Sequence, residues 1–181
     1  MSEWNEKFTI SIEEVADFGL IILKANFSNA KICELVKTVT GAVFPKIGKL
    51  STGKNLNLGW MSTDEIAIIL RNSEADKMAR KIEKKLKGYD CLCVNMSDSR
   101  KCFKLDGYGW REILSKGTPA NLNPTVFTVG SFRRTRIADV AVSIWTVDQK
   151  LAYVFVMRSV GHYVFDWLKT ANLKSGQLNY Y

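Results

Sequence analysis

A chain of 181 residues with 46% hydrophobic and 24% charged side chains is not an intrinsically disordered polypeptide, and at this length it needs neither disulfides nor a metal to hold a core. Its formal net charge of +8 admits nucleic acid, an anionic ligand or an acidic protein surface as a partner, and charge alone does not separate them. No apolar run can span a bilayer as a helix, and Met1-Ser2-Glu3-Trp4-Asn5-Glu6 lacks the basic and apolar segments of a secretion signal, so a cytoplasmic protein with no membrane partner is expected.

In chain order, Phe18–Ala25 is rich in Ile and Leu and reads as a strand. Ser28 can cap a helix through about Thr40, with Ile32, Leu35, Val36 and Val39 at i, i+3, i+4 and i+7. Thr40–Asn57, rich in Gly, Lys and Pro, reads as a long loop. Asn57–Met61 and Glu65–Leu70 form a strand pair around Ser62-Thr63-Asp64. Ser73 can cap a second helix, with Asp76 three residues on, a buried stripe of Ala75, Met78, Ala79, Ile82 and Leu86, and Gly88 at its end. Lys77, Lys81, Lys84 and Lys85 crowd its other faces.

Tyr89–Met96 and Lys101–Leu105 read as strands. Tyr108–Lys116 reads as a short helix with Trp110, Ile113 and Leu114 facing inward and Gly117 at its end. Arg134–Val147 and Leu151–Arg158 are the strongest strand signals, joined near Asp148-Gln149. Ser159 can cap a last helix whose stripe is Val160, Tyr163, Val164, Trp167 and Leu168. Interspersed strands and helices give an α+β fold with largely antiparallel sheets and about four helices. The chain forms one domain, or two intimately packed α+β lobes dividing near residue 96. The sequence shows no internal repeat, and order is expected to weaken only at the ends, Ser2–Lys7 and Ser175–Tyr181.

Residues that could carry chemistry are few. Cys33, Cys91, Cys93 and Cys102 have neither redox-pair nor zinc spacing and read as buried structural thiols. The single histidine, His162, groups with Asp166 and Lys169 away from the apolar stripe of its helix and reads as solvated or at an interface. No nucleophile, base and orienting partner form a set, and no ligand group for a transition metal stands out. In Gly107-Tyr108-Gly109-Trp110-Arg111-Glu112 the place of a third glycine is taken by Glu112, which would repel a phosphate, so the segment reads as a helix-entry turn and not a dinucleotide site. Asp98, just after a strand, can act on a ligand or bond its own turn, and the turn is the reading favoured.

Arg133, Arg134 and Arg136, with Arg158 on the next strand, are the candidate contact for a partner or an anion, because arginine forks pair with carboxylate or phosphate. Solvation, or pairing with the chain's own carboxylates, is the equally open alternative. Trp110, Trp145 and Trp167 lie on apolar stripes and do not interleave with these arginines, so no nucleic-acid partner is expected.

An ordered series of short segments resembles one known family. It comprises Leu58–Glu65, Val94–Arg100, Lys104–Gly107, Ile113–Leu122, Phe127, Gly130, Thr135–Val140, Val156–Ser159 and Tyr163–Leu168. In order and spacing these are similar to the gamma subunits of heterotetrameric sarcosine oxidase. The resemblance implies a fold similar to the folate-binding domain of the glycine-cleavage aminomethyltransferase. It implies a non-catalytic subunit that assembles with alpha, beta and delta chains into a complex that oxidatively demethylates sarcosine to glycine. FAD, FMN, NAD and zinc are then expected on the partner subunits, with tetrahydrofolate as one-carbon acceptor, and no catalytic, cofactor or metal site on this chain. A related complex acting on another N-methyl amino acid such as N-methylglutamate is an alternative, and so is a free-standing folate- or anion-binding module. The chain lacks the Lys-Gly-Cys-Tyr-x-Gly-Gln-Glu-like signature of stand-alone folate-binding relatives.

Overall fold

A computed structural model describes residues 10–173. The polar ends, Ser2–Lys7 and Ser175–Tyr181, lie outside the described residues. The fold is α+β, with two antiparallel five-stranded sheets and four helices among the described residues. In chain order the elements are β1 (Ser11–Glu14), β2 (Phe18–Ala25), α1 (Ala30–Thr40), β3 (Leu50–Thr52), β4 (Asn57–Ser62), β5 (Glu65–Arg71) and α2 (Asn72–Lys85). Then follow β6 (Cys91–Asn95), β7 (Arg100–Asp106), α3 (Trp110–Ser115), β8 (Phe132–Ile137), β9 (Val140–Thr146), β10 (Leu151–Met157) and α4 (Gly161–Ala171). Among the described residues they form two compact units: Ala16–Ser99, and a second made of residues 10–15 with 100–173.

The first unit carries the sheet β3-β4-β5-β2-β6. Ile21, Leu23, Leu58, Ile66, Ile68 and Cys93 meet Ile32, Val36, Ala75, Ala79 and Ile82 from α1 and α2 in one core. Asn29, not Ser28, caps α1: its side-chain oxygen accepts the N–H of Lys31, and Gly41 closes the helix at φ 70°. Arg71 at the start of α2 makes no side-chain cap. Ser73 falls inside the first turn, where its N–H donates to the Asp17 carboxylate at 3.3 Å, so the cap comes from the residue before β2. The expected loop 40–57 contains β3, a short edge strand paired with β4 through Leu50 and Gly59. Gly19 has no room for a side chain, because a Cβ there would sit 2.7 Å from the Arg71 carbonyl oxygen on β5.

The second unit carries the sheet β1-β7-β10-β9-β8. Phe103, Leu105, Ile144, Val154 and Val156 pack with Trp110, Ile113, Leu114, Val164 and Leu168 in its core. The opposite face of the sheet holds an aromatic row in which Trp145 stacks on Tyr153 with centroids 4.9 Å apart, and Phe132 and Phe155 flank it. The expected strand Arg134–Val147 is in fact two, β8 and β9, folded back at Ala138, which adopts φ 48°. Ala138-Asp139 carries none of the glycine or asparagine that ordinarily marks a tight hairpin, so the break is silent in the residue types. The next hairpin lies where expected, and the Asp148 carboxylate accepts the N–H groups of Lys150 and Leu151 at 2.7 and 2.8 Å. Ser159 sits in a 3-10 turn ahead of α4 and does not cap it. Tyr163, expected on the buried stripe, is half exposed, whereas Val164 and Leu168 are buried and Val160 and Trp167 pack partly against the core.

Both units repeat one topology although the sequence shows no repeat. In the first, β2-α1-β4-β5-α2-β6 is a split β-α-β arrangement with β3 added beside β4. In the second, β7-α3-β9-β10-α4 needs a closing strand, and β1 supplies it from the start of the chain. β8 is added beside β9 as β3 is beside β4.

Candidate functional site

The arginine group lies on β8, an edge strand with no neighbour on its outer side among the described residues. Arg134 and Arg136 share the face of Phe132, opposite Ser143 and Ala141 of β9, whereas Arg133 points to the other face, opposite Ile144. All three are exposed. Arg158 is not on the strand next to them. It opens the 3-10 turn after β10, two strands across, because Arg134–Val147 folds into two strands. The registers Val156↔Val142↔Thr135 place it at the same end of the sheet as Arg136, about 10 Å away laterally at ordinary strand spacing. No ion pair of Arg133, Arg136 or Arg158 is seen among the described residues, whereas Lys24, Lys37, Lys101, Lys104 and Lys169 each meet a carboxylate. Arg133, Arg134 and Arg136 thus line a sheet edge. Charge on such an edge deters unwanted strand pairing and, equally, offers forks to an acidic surface.

The other sequence candidates are structural. His162 is exposed on α4, and Asp166 pairs with Lys169 at 2.8 Å, whose hydrogen bond and charge hold the Asp166 carboxyl below its usual range. Asp98 is exposed in the turn Ser97–Ser99, but the residue that bonds that turn is Asn95, whose side-chain oxygen Oδ1 accepts the N–H and hydroxyl of Ser97 at 3.0 and 2.6 Å. The Ser97 hydroxyl oxygen in turn accepts the Leu20 N–H at 3.0 Å. Gly107 and Gly109 lead directly into α3. Cys93 and Cys102 are buried, and burial pushes the Cys93 thiol up to about 12 and the Cys102 thiol well above its ordinary value. Cys33 and Cys91 are only half-buried, because each sits at the margin of its element's core face. No group of three His, Cys, Asp or Glu side chains that could hold a metal occurs among the described residues.

Two features escaped the sequence reading. Arg111 is buried in α3, where one guanidinium nitrogen donates to the carbonyls of Leu122 at 2.7 Å and Phe127 at 3.0 Å, and the plane lies 4.2 Å over the Trp110 ring. Nothing in a six-residue helix with two adjacent charges announces that both are inside. Lys54, from the 40–57 segment, comes to the same cleft as Lys77 and Lys81 of α2. Its partners are some twenty residues away in sequence, so spacing could not link them.

The sequence matches the sarcosine oxidase gamma subunit family over residues 25–174. It is 21% identical over 169 residues to the sarcosine oxidase subunit gamma of Corynebacterium sp. (strain P-1), covering 93% of this chain and 82% of the relative. Its fold is similar to a chain in the heterotetrameric sarcosine oxidase of Corynebacterium sp. U-96, solved in complex with pyrrole 2-carboxylate. The TM-score is 0.86 at 19% identity, over 97% of this chain and 89% of that one. It is also similar in fold to the glycine cleavage system aminomethyltransferase T of Bartonella henselae. There the TM-score is 0.66 at 13% identity, over 91% of this chain and 46% of that one.

Proposed function

We infer the role of this chain from one premise: it belongs to the sarcosine oxidase gamma subunit family. It serves as a non-catalytic subunit of a heterotetrameric sarcosine oxidase, the flavin-dependent complex that demethylates sarcosine to glycine. The observation that carries this reading is the family match through nearly the whole described chain, residues 25–174. The site chemistry agrees in kind. What the described surface offers is a row of arginines on a sheet edge, which is recognition chemistry.

In this reading the alpha, beta and delta subunits are the partners. They hold FAD, FMN, NAD and zinc, and tetrahydrofolate accepts the one-carbon unit on the complex. Arg133, Arg134, Arg136 and Arg158 are the contacts on this chain, taking carboxylates of a neighbouring subunit.

The experiment is expression of the chain alone and together with the other subunits. The lone chain should be colourless and inactive, and the co-expressed chain should elute with flavin-bearing partners and sarcosine-oxidising activity. Flavin absorbance carried by the lone chain, or a flavin complex that forms and elutes without it, would overturn the assignment.

A further inference from the structure

In the first unit, the last residue of α1, the segment before β4, the end of β5 and one side of α2 enclose a cleft of about 220 Å³. Lys54, Lys77 and Lys81 line it, with Glu74 as the one acidic side chain. Leu56 and Leu70 supply its buried apolar floor. On α2, Glu74, Lys77, Met78 and Lys81 fall at i, i+3, i+4 and i+7, so a single stripe of the helix faces the cleft.

This stripe breaks a local rule. Lys77 and Lys81 are like charges at i, i+4, an arrangement that weakens a helix, and Lys54 brings a third positive charge from a distant segment. No ion pair of these three lysines is seen among the described residues. Gathered like charge over an apolar floor is a local conflict of the kind expected at functional sites.

We propose that this cleft binds a small organic dianion, a phosphate monoester or a dicarboxylate, carrying an apolar body about the size of a benzene ring. Three ammonium groups against one carboxylate leave two positive charges to be met, which matches a dianion. Lysine takes phosphate or carboxylate as a point charge and needs no fixed fork geometry. The floor of Leu56 and Leu70 is what a bare inorganic ion would leave unused, and an apolar body covers it. The volume is that of roughly seven waters, enough for a single ring with its charged group. The proposal rests on residues of the first unit alone, whereas the arginines of β8 belong to the second.

The test is lysine footprinting on the full chain in its assembly, with acetylation rates read by peptide mass spectrometry. The probes are phenyl phosphate, benzene-1,3-dicarboxylate and inorganic phosphate, each at about 10 mM, a concentration that fills even a weak site. Phenyl phosphate or the dicarboxylate should slow acetylation of Lys54, Lys77 and Lys81 by about threefold, as two-thirds occupancy would. Lys84 and Lys85, on the same helix but outside the cleft, should react as before. Whichever probe protects more strongly identifies the charged group. Lys81→Gln should abolish protection of Lys54 and Lys77 while circular dichroism stays unchanged. Equal slowing of all five lysines would mean ionic screening alone. Equal protection by inorganic phosphate would mean that the floor is not used. Lysines already unreactive in the ligand-free assembly would mean that a protein surface covers the cleft. Each of these results, or no protection by any probe, overturns the proposal.

Discussion

Arg111 shows how a single side chain can hold a segment with no regular structure. Its guanidinium donates to the carbonyls of Leu122 and Phe127, both buried residues in the stretch between α3 and β8 that has no strand of its own to satisfy them. Replacing it with methionine keeps an apolar side chain beside Trp110 but removes the cation over its ring and leaves buried acceptors without a donor, at about 1–3 kcal/mol for the groups left unpaired. Arg111→Met should therefore lower the urea midpoint clearly, and Arg111→Lys should recover only part of the loss, since an ammonium can still donate to a carbonyl but gives up the planar guanidinium over the Trp110 ring. Equal midpoints for wild type and Arg111→Met would show that the segment is held otherwise. Cys102 makes a second residue-scale case. Its thiol is held neutral by burial, so its folded pKa lies above the unfolded value. Its contribution is complete below the unfolded pKa, near 9, and is lost as pH rises from there toward the folded pKa, because the unfolded state releases the proton first. Stability should fall above about pH 9 by up to about 1.4 kcal/mol per pH unit for this thiol. Cys102→Ala should flatten that part of the profile, with Cys93, pushed up to about 12, contributing to the slope that remains.

Among the elements, β1 is the one most dependent on others. Of Ser11–Glu14 only Ile12 packs on the core, and the strand pairs on one side alone, with β7. Asn172, just past α4, clamps its entrance: the side-chain oxygen accepts the Ile10 N–H at 3.2 Å and the side-chain nitrogen donates to the Ile10 carbonyl at 2.9 Å. Lys101 adds an ion pair to Glu14 at 2.9 Å. Asn172→Ala should cost about 1–2 kcal/mol, lost mostly as local opening, so hydrogen exchange should speed up at residues 11–14 and their β7 partners while β9 and β10 stay protected. Uniform acceleration throughout the unit would refute a local role. β1 also shows what the sequence conceals. Strands with a full apolar face, such as β2, β5 and β10, are legible because burial writes itself into consecutive residues. An edge strand with one apolar contact writes almost nothing. The same holds for the β8–β9 turn at Ala138 and for the Asp17 cap on α2, where backbone conformation and a distant side chain do what glycine or a local serine would have signalled. The arginines were legible as a group, but Arg158 was not legible as the outlier, because its place depends on that silent turn.

At the scale of the whole molecule the repeated topology places an added edge strand, β3 or β8, at the same position in each unit, and only β8 carries three arginines. The formal charge of +8 gives the chain a long-range field, but the field falls off over about 8 Å at physiological ionic strength, so the placement of charge matters more than its sum. If the β8 edge meets a neighbouring subunit, reversing Arg134 and Arg136 to glutamate should slow association of the chain with its partners by about tenfold at low salt, with the difference shrinking toward 0.5 M salt where fields of this kind are screened. Each exchange removes two positive units, so the double variant carries a formal charge of +4. Lys84→Glu with Lys85→Glu makes the same change in total charge from the end of α2, in the other unit. Stopped-flow mixing of each variant with the remaining subunits separates the two effects. A contact at β8 predicts slow assembly for the arginine pair and a near-normal rate for the lysine pair. Equal slowing by both pairs would reduce the arginines to contributors to a general field, and normal rates for both would remove β8 from the interface.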